Sequence, residues 1–233
     1  MGKYTAPVDF LLILLGLSQV SNGDEPLYLM PADFAPAQVS VPVRLVVGQS
    51  PVPWSSAPAS YLFVKTTSTQ ENQDDAASWI ASDGTFVAPL VGGGPAMVGV
   101  DFRPRTVRGK TVHRTAVTLV RGRMDGNQPD GAVTTSRSGL TAEIRPMIDP
   151  TRFQGGDLAF RVYAGGEAAE SGTMLAVSAS GKRATVTLDP KGFGHFTPQE
   201  RGLWKLTFKT ERGGSAYVAT LTFKLPTALE GKP

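Results

Sequence analysis

The sequence predicts an all-β protein built from two β-sandwich domains that follow an export signal. Three observations carry that expectation. Apolar and polar residues alternate with period two wherever a period can be read, which is the pattern of a strand with one face in a core and one in water. Turn signals recur at short intervals: Asp83-Gly84, Gly92-Gly93-Gly94-Pro95, Asp130-Gly131, Gly155-Gly156, Gly165-Gly166, Ser180-Gly181 and Gly213-Gly214. The 26 Gly and 18 Pro in 233 residues are about 19%, against a usual ~12%, a surplus too small for a collagen or a disordered tract. One short helix, near Asp75 to Ala81, is the single interruption the pattern suggests.

The chain opens with Lys3 and then Phe10-Leu-Leu-Ile-Leu-Leu-Gly-Leu17, followed by a polar stretch with small residues at Ser21 and Gly23. This is the layout of a secretory signal over residues 1–23, with cleavage after Gly23. Its apolar core spans only ~12 Å as a helix, well short of a ~30 Å hydrocarbon layer, so no permanent anchor is expected. The expectation is an exported protein, periplasmic or extracellular.

The first strand places Val39, Val41, Val43, Leu45 and Val47 on one face, and Pro42, which lacks a ladder donor, argues for a sheet edge. Strands follow at Tyr61 to Thr66 and Ala96 to Phe102. Ser50 to Pro58 and the polar run from Thr66 to Asp75 read as long loops. A domain boundary is expected at Ile148 to Arg152, between Pro146 and Gly155-Gly156, dividing an N-terminal domain (24–147) from a C-terminal one (148–233). In the latter Leu158, Phe160 and Val162 face one way. Val186 and Leu188, then Trp204, Leu206 and Phe208, and finally Ala219, Leu221, Phe223 and Leu225 repeat the pattern. Its size suits a small immunoglobulin-like or prealbumin-like sandwich. Asp189-Pro-Lys-Gly192 reads as a turn with Gly192 at positive φ, and Trp204 as a core anchor.

Composition excludes several chemistries. With no Cys there are no disulfides, thiolate nucleophiles, iron–sulfur clusters or zinc fingers, and two His, at 113 and 195, exclude a histidine-rich metal site. His113 and His195 are the weak metal candidates, and each would need carboxylates to complete a shell. Gly109-Lys110-Thr111 resembles the end of a phosphate-binding loop, but Pro104 stands where its first Gly belongs and the context is a strand. Asp125 to Gly131 has the composition of a calcium loop with the wrong spacing, so a β-turn is expected. No Gly-x-Ser-x-Gly elbow is present. Glu143, Asp149 and Asp157 could be proposed as paired acids, yet at strand ends carboxylates usually solvate or bond turn amides. An enzyme with a site assembled in space is the alternative these residues leave open; the expectation is no catalytic residue and no cofactor.

Charge is distributed unevenly. Arg103, Arg105, Arg108, Lys110, Arg114, Arg121 and Arg123 put +7 into 21 residues without an acid, so the rest of a chain of net charge +3 sums to −4. This stretch is the expected contact surface for an anionic partner: an envelope protein, an anionic surface polymer or a transport component. It holds no interleaved aromatics, so single-stranded nucleic acid is not the expected partner.

Leu140-Thr-Ala-Glu-Ile-Arg-Pro146, Asp149-Pro150 and Gly156-Asp157-Leu158, then Asp189-Pro-Lys-Gly192 and Gly202-Leu-Trp204, resemble the motifs of the domain-of-unknown-function 4198 family (DUF4198). Leu27-Tyr-Leu-Met-Pro31 resembles that family's mature start. The resemblance implies an exported β-sandwich protein, some of whose relatives are associated with nickel or cobalt uptake at the cell envelope. Where those relatives begin the mature protein with a His near the N-terminus, this chain has Asp24-Glu25-Pro26, so no metal ligand carries over. The sequence therefore leads to an exported, non-catalytic binding or accessory protein, with a nickel- or cobalt-uptake-associated metal-binding role as the alternative.

Overall fold

A computed structural model describes residues 26–31, 40–47, 50–54, 59–66, 70–72, 86–89, 95–121 and 132–226. The expected signal segment, the expected helix at Asp75 to Ala81, and Arg123 with the Asp125 to Gly131 loop lie outside them. The described chain is all-β. Its first strands are β1 (Leu27–Pro31), β2 (Ser40–Val47), β3 (Ser50–Pro51), β4 (Ala59–Lys65), β5 (Gln70–Asn72), β6 (Phe86–Pro89), β7 (Ala96–Val107) and β8 (Lys110–Val120). A four-residue helix α1 (Ala132–Thr135), which no periodicity announced, leads to β9 (Ala142–Pro146), β10 (Leu158–Ala164) and β11 (Glu167–Ala168). The chain closes through β12 (Thr173–Ser178), β13 (Arg183–Thr187), β14 (Phe193–Phe196), β15 (Gly202–Arg212) and β16 (Ser215–Leu225).

Three sheets stack into two sandwiches that share a middle layer. The shared sheet has eight strands in the order β13-β12-β15-β16-β8-β7-β4-β5. Its neighbours are antiparallel except β16 and β8, which run parallel from Ser215↔Thr111 to Thr222↔Thr118. An N-terminal sheet of β1, β2, β3 and β6 covers part of one face, and a C-terminal sheet of β9, β10, β11 and β14 covers the other. The boundary expected at 148 follows β9 directly; β9 pairs with β10, and the hydrogen bonds of β8 to β16 join the two halves of the chain.

Alternation assigns each strand to a core. Phe63, Met97, Val117, Leu119, Trp204, Leu206, Phe208, Leu221 and Phe223 face the C-terminal sheet, while Leu62, Val64, Val98, Val100, Phe102, Ala116 and Val120 face the N-terminal one. Trp204 is 1% exposed, packs 5.2 Å from the Phe196 ring and donates from Nε1 to the Glu200 carbonyl at 3.1 Å, as expected of a core indole whose N–H needs an acceptor. Gly192 adopts φ +80° and closes the Asp189 turn, and a Cβ there would meet the carbonyl oxygens of Ala169 and Val162 at 2.9 Å.

The edge expected at Pro42 is corrected. Strand β2 is flanked by β1 on one side and by β3 and β6 on the other. Pro42 is tolerated because the β1 pairing ends at Pro31↔Val43, so among the described residues nothing on that side asks for its missing N–H.

Candidate functional site

Strands β7 and β8 form a long hairpin closed by Arg108 and Gly109, at φ 50° and 79°, the positive-φ pair that suits a two-residue turn between twisted strands. Gly109-Lys110-Thr111 is therefore a hairpin corner without the helix a phosphate loop requires. A register shift between Phe102 and Arg105 inserts an extra residue at Arg103-Pro104. The insertion puts Arg105, opposite Val112, on the same face as Phe102, opposite Arg114, although odd spacing would otherwise separate them.

Arg103, Arg108 and Lys110 are exposed, and Arg105 and Arg121 are half-buried. Arg114 corrects the expected contact surface: it is 4% exposed, with its guanidinium 6.0 Å from the Phe102 ring centroid. The reason is topological. Parallel pairing to β16 places β8 inside the shared sheet, so a residue read as solvent-facing on an isolated hairpin is enclosed between Phe102 and Val218.

The same pairing brings the C-terminal lysines to the basic hairpin. Register aligns Arg105, Val112, Ala216 and Glu211 in one row, and Phe102, Arg114, Val218 and Lys209 in the next. Further along, Lys205 lies opposite both Thr222 and Val177, and Val177 lies opposite Arg183. Arg105, Lys110, Arg183, Lys205 and Lys209 thus share one face. The N-terminal sheet covers only part of it, and Thr173, Thr185, Thr187 and Leu175, which is 38% exposed, line the remainder. At the hairpin end a groove of about 430 Å³ has Val107, Val112, Ala216 and Val218 along its floor and Arg108, Lys110 and Lys209 among its rim residues. Glu211, the acid beside this groove, pairs with Lys110 at 2.5 Å, and both side chains are at least half solvent-exposed.

Strand β1 borders this face. Tyr28 Oη lies 2.5 Å from Thr207 Oγ1, and the Lys205 ammonium sits 5.2 Å from the Tyr28 ring centroid. Burial raises the Tyr28 pKa against the lowering effect of the Thr207 hydrogen bond, and partial burial lowers that of Lys205.

The two histidines occupy different layers. His113 stacks on Tyr217 at 5.1 Å, on the face of the shared sheet turned to the C-terminal sheet, whereas His195 is exposed opposite Ala159 on β14. Among the described residues no three His, Cys, Asp or Glu side chains gather as a metal site would require. Glu143 is buried and accepts from Arg137 Nε at 2.9 Å and the Ser138 N–H at 2.6 Å. Asp149 accepts from the Thr151 N–H and hydroxyl, and Asp157 from the Thr197 hydroxyl.

The outer face of the C-terminal sheet carries a second cationic group that sequence reasoning missed. Arg137 lies 3.6 Å from the Tyr163 ring centroid, and Arg161 lies 5.3 Å from Tyr163 and 4.9 Å from Phe193. Alternation in Ala142–Pro146 and Leu158–Ala164 marks their outward residues, yet nothing in the sequence states that these two strands pair.

No protein-family model and no curated protein matches the chain. Solved structures that align with it include a two-domain fibronectin type-III segment of chicken tenascin, 14% identical over 86% of this chain and 99% of that one, TM-score 0.27. Others are an adhesin of an Antarctic bacterium, described as Ca²⁺-stabilised and ice-binding (12% identical, 86% and 48% covered, TM-score 0.26), and fibronectin(III)-like modules of Clostridium thermocellum CbhA (7%, 88% and 97%, TM-score 0.25). Scores this low carry no argument about ligand or activity. Among the described residues no helix is long and apolar enough to cross a membrane.

Proposed function

We propose that this chain is an exported, non-catalytic binding module of the cell envelope whose uncovered cationic face holds an anionic surface polymer. One observation carries the reading: strand register assembles Arg105 and Lys110 from the N-terminal half with Arg183, Lys205 and Lys209 from the C-terminal half on one face of the shared sheet. The cations are spread over this face, with Arg183 two strands from Lys205 and Arg105 three strands from Lys209, so at ~4.8 Å per strand they offer separated contacts to an extended polyanion. Threonine hydroxyls between the cations offer hydrogen bonds, and the groove at the hairpin end gives the polymer one place to seat an apolar ring face.

Retention on immobilised heparin tests this directly. The triple variant Arg105→Ser, Lys110→Ser, Lys209→Ser is expected to elute at markedly lower salt than the wild type, because each lost contact reduces the salt dependence of binding. Unchanged elution of a folded triple variant overturns the assignment of the face.

A further inference from the structure

We propose that β13, the free edge of the shared sheet, takes up an extended acidic segment of a partner protein as a further strand. Strand β13 ends the sheet, with β12 on its inner side. Backbone parity fixes which of its groups face outward. The Leu188 N–H donates to the Gly172 carbonyl and the Ser178 N–H to the Lys182 carbonyl, so the residues that exchange hydrogen bonds with β12 are the even-numbered ones. Arg183, Thr185 and Thr187 therefore turn both N–H and C=O away from β12.

Among the described residues no hydrogen bond from elsewhere in the chain reaches these groups. Strand β14 closes the Thr187 end, where a Cβ on Gly194 would stand 3.3 Å from the Thr187 carbonyl oxygen. Arg183 and Thr185, both exposed, remain as an open stretch that presents a donor and an acceptor each. Strand addition draws its affinity from such main-chain groups and its selectivity from alternate side chains.

Charge decides what fits this stretch. Strand β13 begins with Arg183 and carries no acid, no proline and no bulge. Basic residues on an edge strand ward off pairing with another copy of the same chain. Antiparallel pairing of two copies over the open stretch centres on Ala184, which sets Arg183 opposite Thr185 of the second copy. The two Arg183 side chains then stand diagonally, ~7–8 Å apart, as a like-charge pair. An acidic strand converts the same residue into an attraction: a carboxylate opposite Arg183 meets its guanidinium and joins a row that runs through Val177 to Lys205. Lys182 is already paired with Glu200 at 3.2 Å, so Arg183 carries the selection.

The test titrates the isotope-labelled full chain with an end-blocked hexapeptide of alternating Glu and Val, followed by amide NMR. Saturable shifts of the Arg183 and Thr185 amides are expected, with slower hydrogen exchange at Thr185. With a Glu opposite Arg183, the glutamate N–H groups face β13 and the valine N–H groups face away. N-methylation of the glutamates should therefore abolish binding, and N-methylation of the valines should preserve it. A Lys-Val peptide should bind at least about tenfold more weakly, the scale of one charge-assisted hydrogen bond. Thr185→Pro removes an outward N–H that β12 does not use, so it should melt like the wild type and lose the peptide. Absence of saturation, a Thr185 amide that does not move, or equal binding of the glutamate-methylated peptide overturns the proposal. The methylated peptides keep it testable if Thr185→Pro fails to fold. Concentration-dependent self-association in sedimentation that Thr185→Pro removes would put a second copy on this edge and also overturn it. The edge is independent of polymer binding, so the Arg105, Lys110, Lys209 triple variant should take up the peptide like the wild type.

Discussion

The two faces of β15 and β16 solve the same problem with different chemistry. Toward the C-terminal sheet, Trp204, Leu206, Phe208, Leu221 and Phe223 pack with Phe160 and Phe196, at ring separations of 5.2 to 6.1 Å. Toward β1, Thr207, Thr220 and Thr222 present hydroxyls: Thr220 Oγ1 donates to the Leu27 carbonyl, Thr222 Oγ1 donates to the Leu29 carbonyl, and Thr207 meets Tyr28. The first face gains stability from apolar area that nothing else could cover. The second holds β1 by a few directional bonds, and past the edge of β1 it opens into lysines. A sheet face closed by hydroxyls can continue into a wet cationic surface without a change of strand, whereas an aromatic face could not.

Substitutions should separate the two faces by magnitude. Trp204→Ala removes the largest side chain of the aromatic face together with its hydrogen bond to Glu200, and is expected to cost about 3–5 kcal/mol. A thermal melt superimposing on wild type would refute the core assignment. Thr222→Val keeps shape but leaves the buried Leu29 carbonyl without its hydroxyl partner, and deprives Thr118 of a contact at 2.8 Å. About 1–3 kcal/mol is expected, read from a denaturant midpoint, with β1 amides exchanging faster than those of β16.

The smallest effect belongs to the surface. Hydrogen bonds from Ser178 and Ser180, with Lys182 nearby, hold the Glu200 carboxyl at about 2, below its ordinary 4.5. A carboxyl whose folded pKa is depressed adds stability above its unfolded value and loses it as pH falls through the folded one. Glu200→Gln should therefore lower stability slightly at neutral pH and flatten the profile between about 4.5 and 2, so that variant and wild type converge at the acid end. An identical pH profile would contradict this.

Local pattern made much of the fold legible. Alternation in Trp204 to Phe208 and Ala219 to Leu225 identified buried faces residue by residue, and the Asp189 turn identified the glycine that needs positive φ, because both depend on neighbours in the chain. Pairing between distant strands was not legible. No residue in Thr111 to Thr118 declares that it will lie parallel to Ser215 to Thr222, and that contact buries Arg114, joins the halves and adds Lys205 and Lys209 to the basic hairpin. The extra residue at Arg103-Pro104, which turns Arg105 to that face, is likewise a property of two strands together. Charge composition singled out the β7–β8 hairpin; strand pairing added Lys205 and Lys209 from the other half of the chain to the same face.

That surface is the central claim, and hydrogen exchange with a bound heparin oligosaccharide tests it most directly. Amides of β12, β13, β15 and the β7–β8 corner are predicted to gain protection, while those of β4 and β5 at the far edge of the shared sheet stay unchanged. Protection confined to the far edge, or absent from β15, would contradict the account.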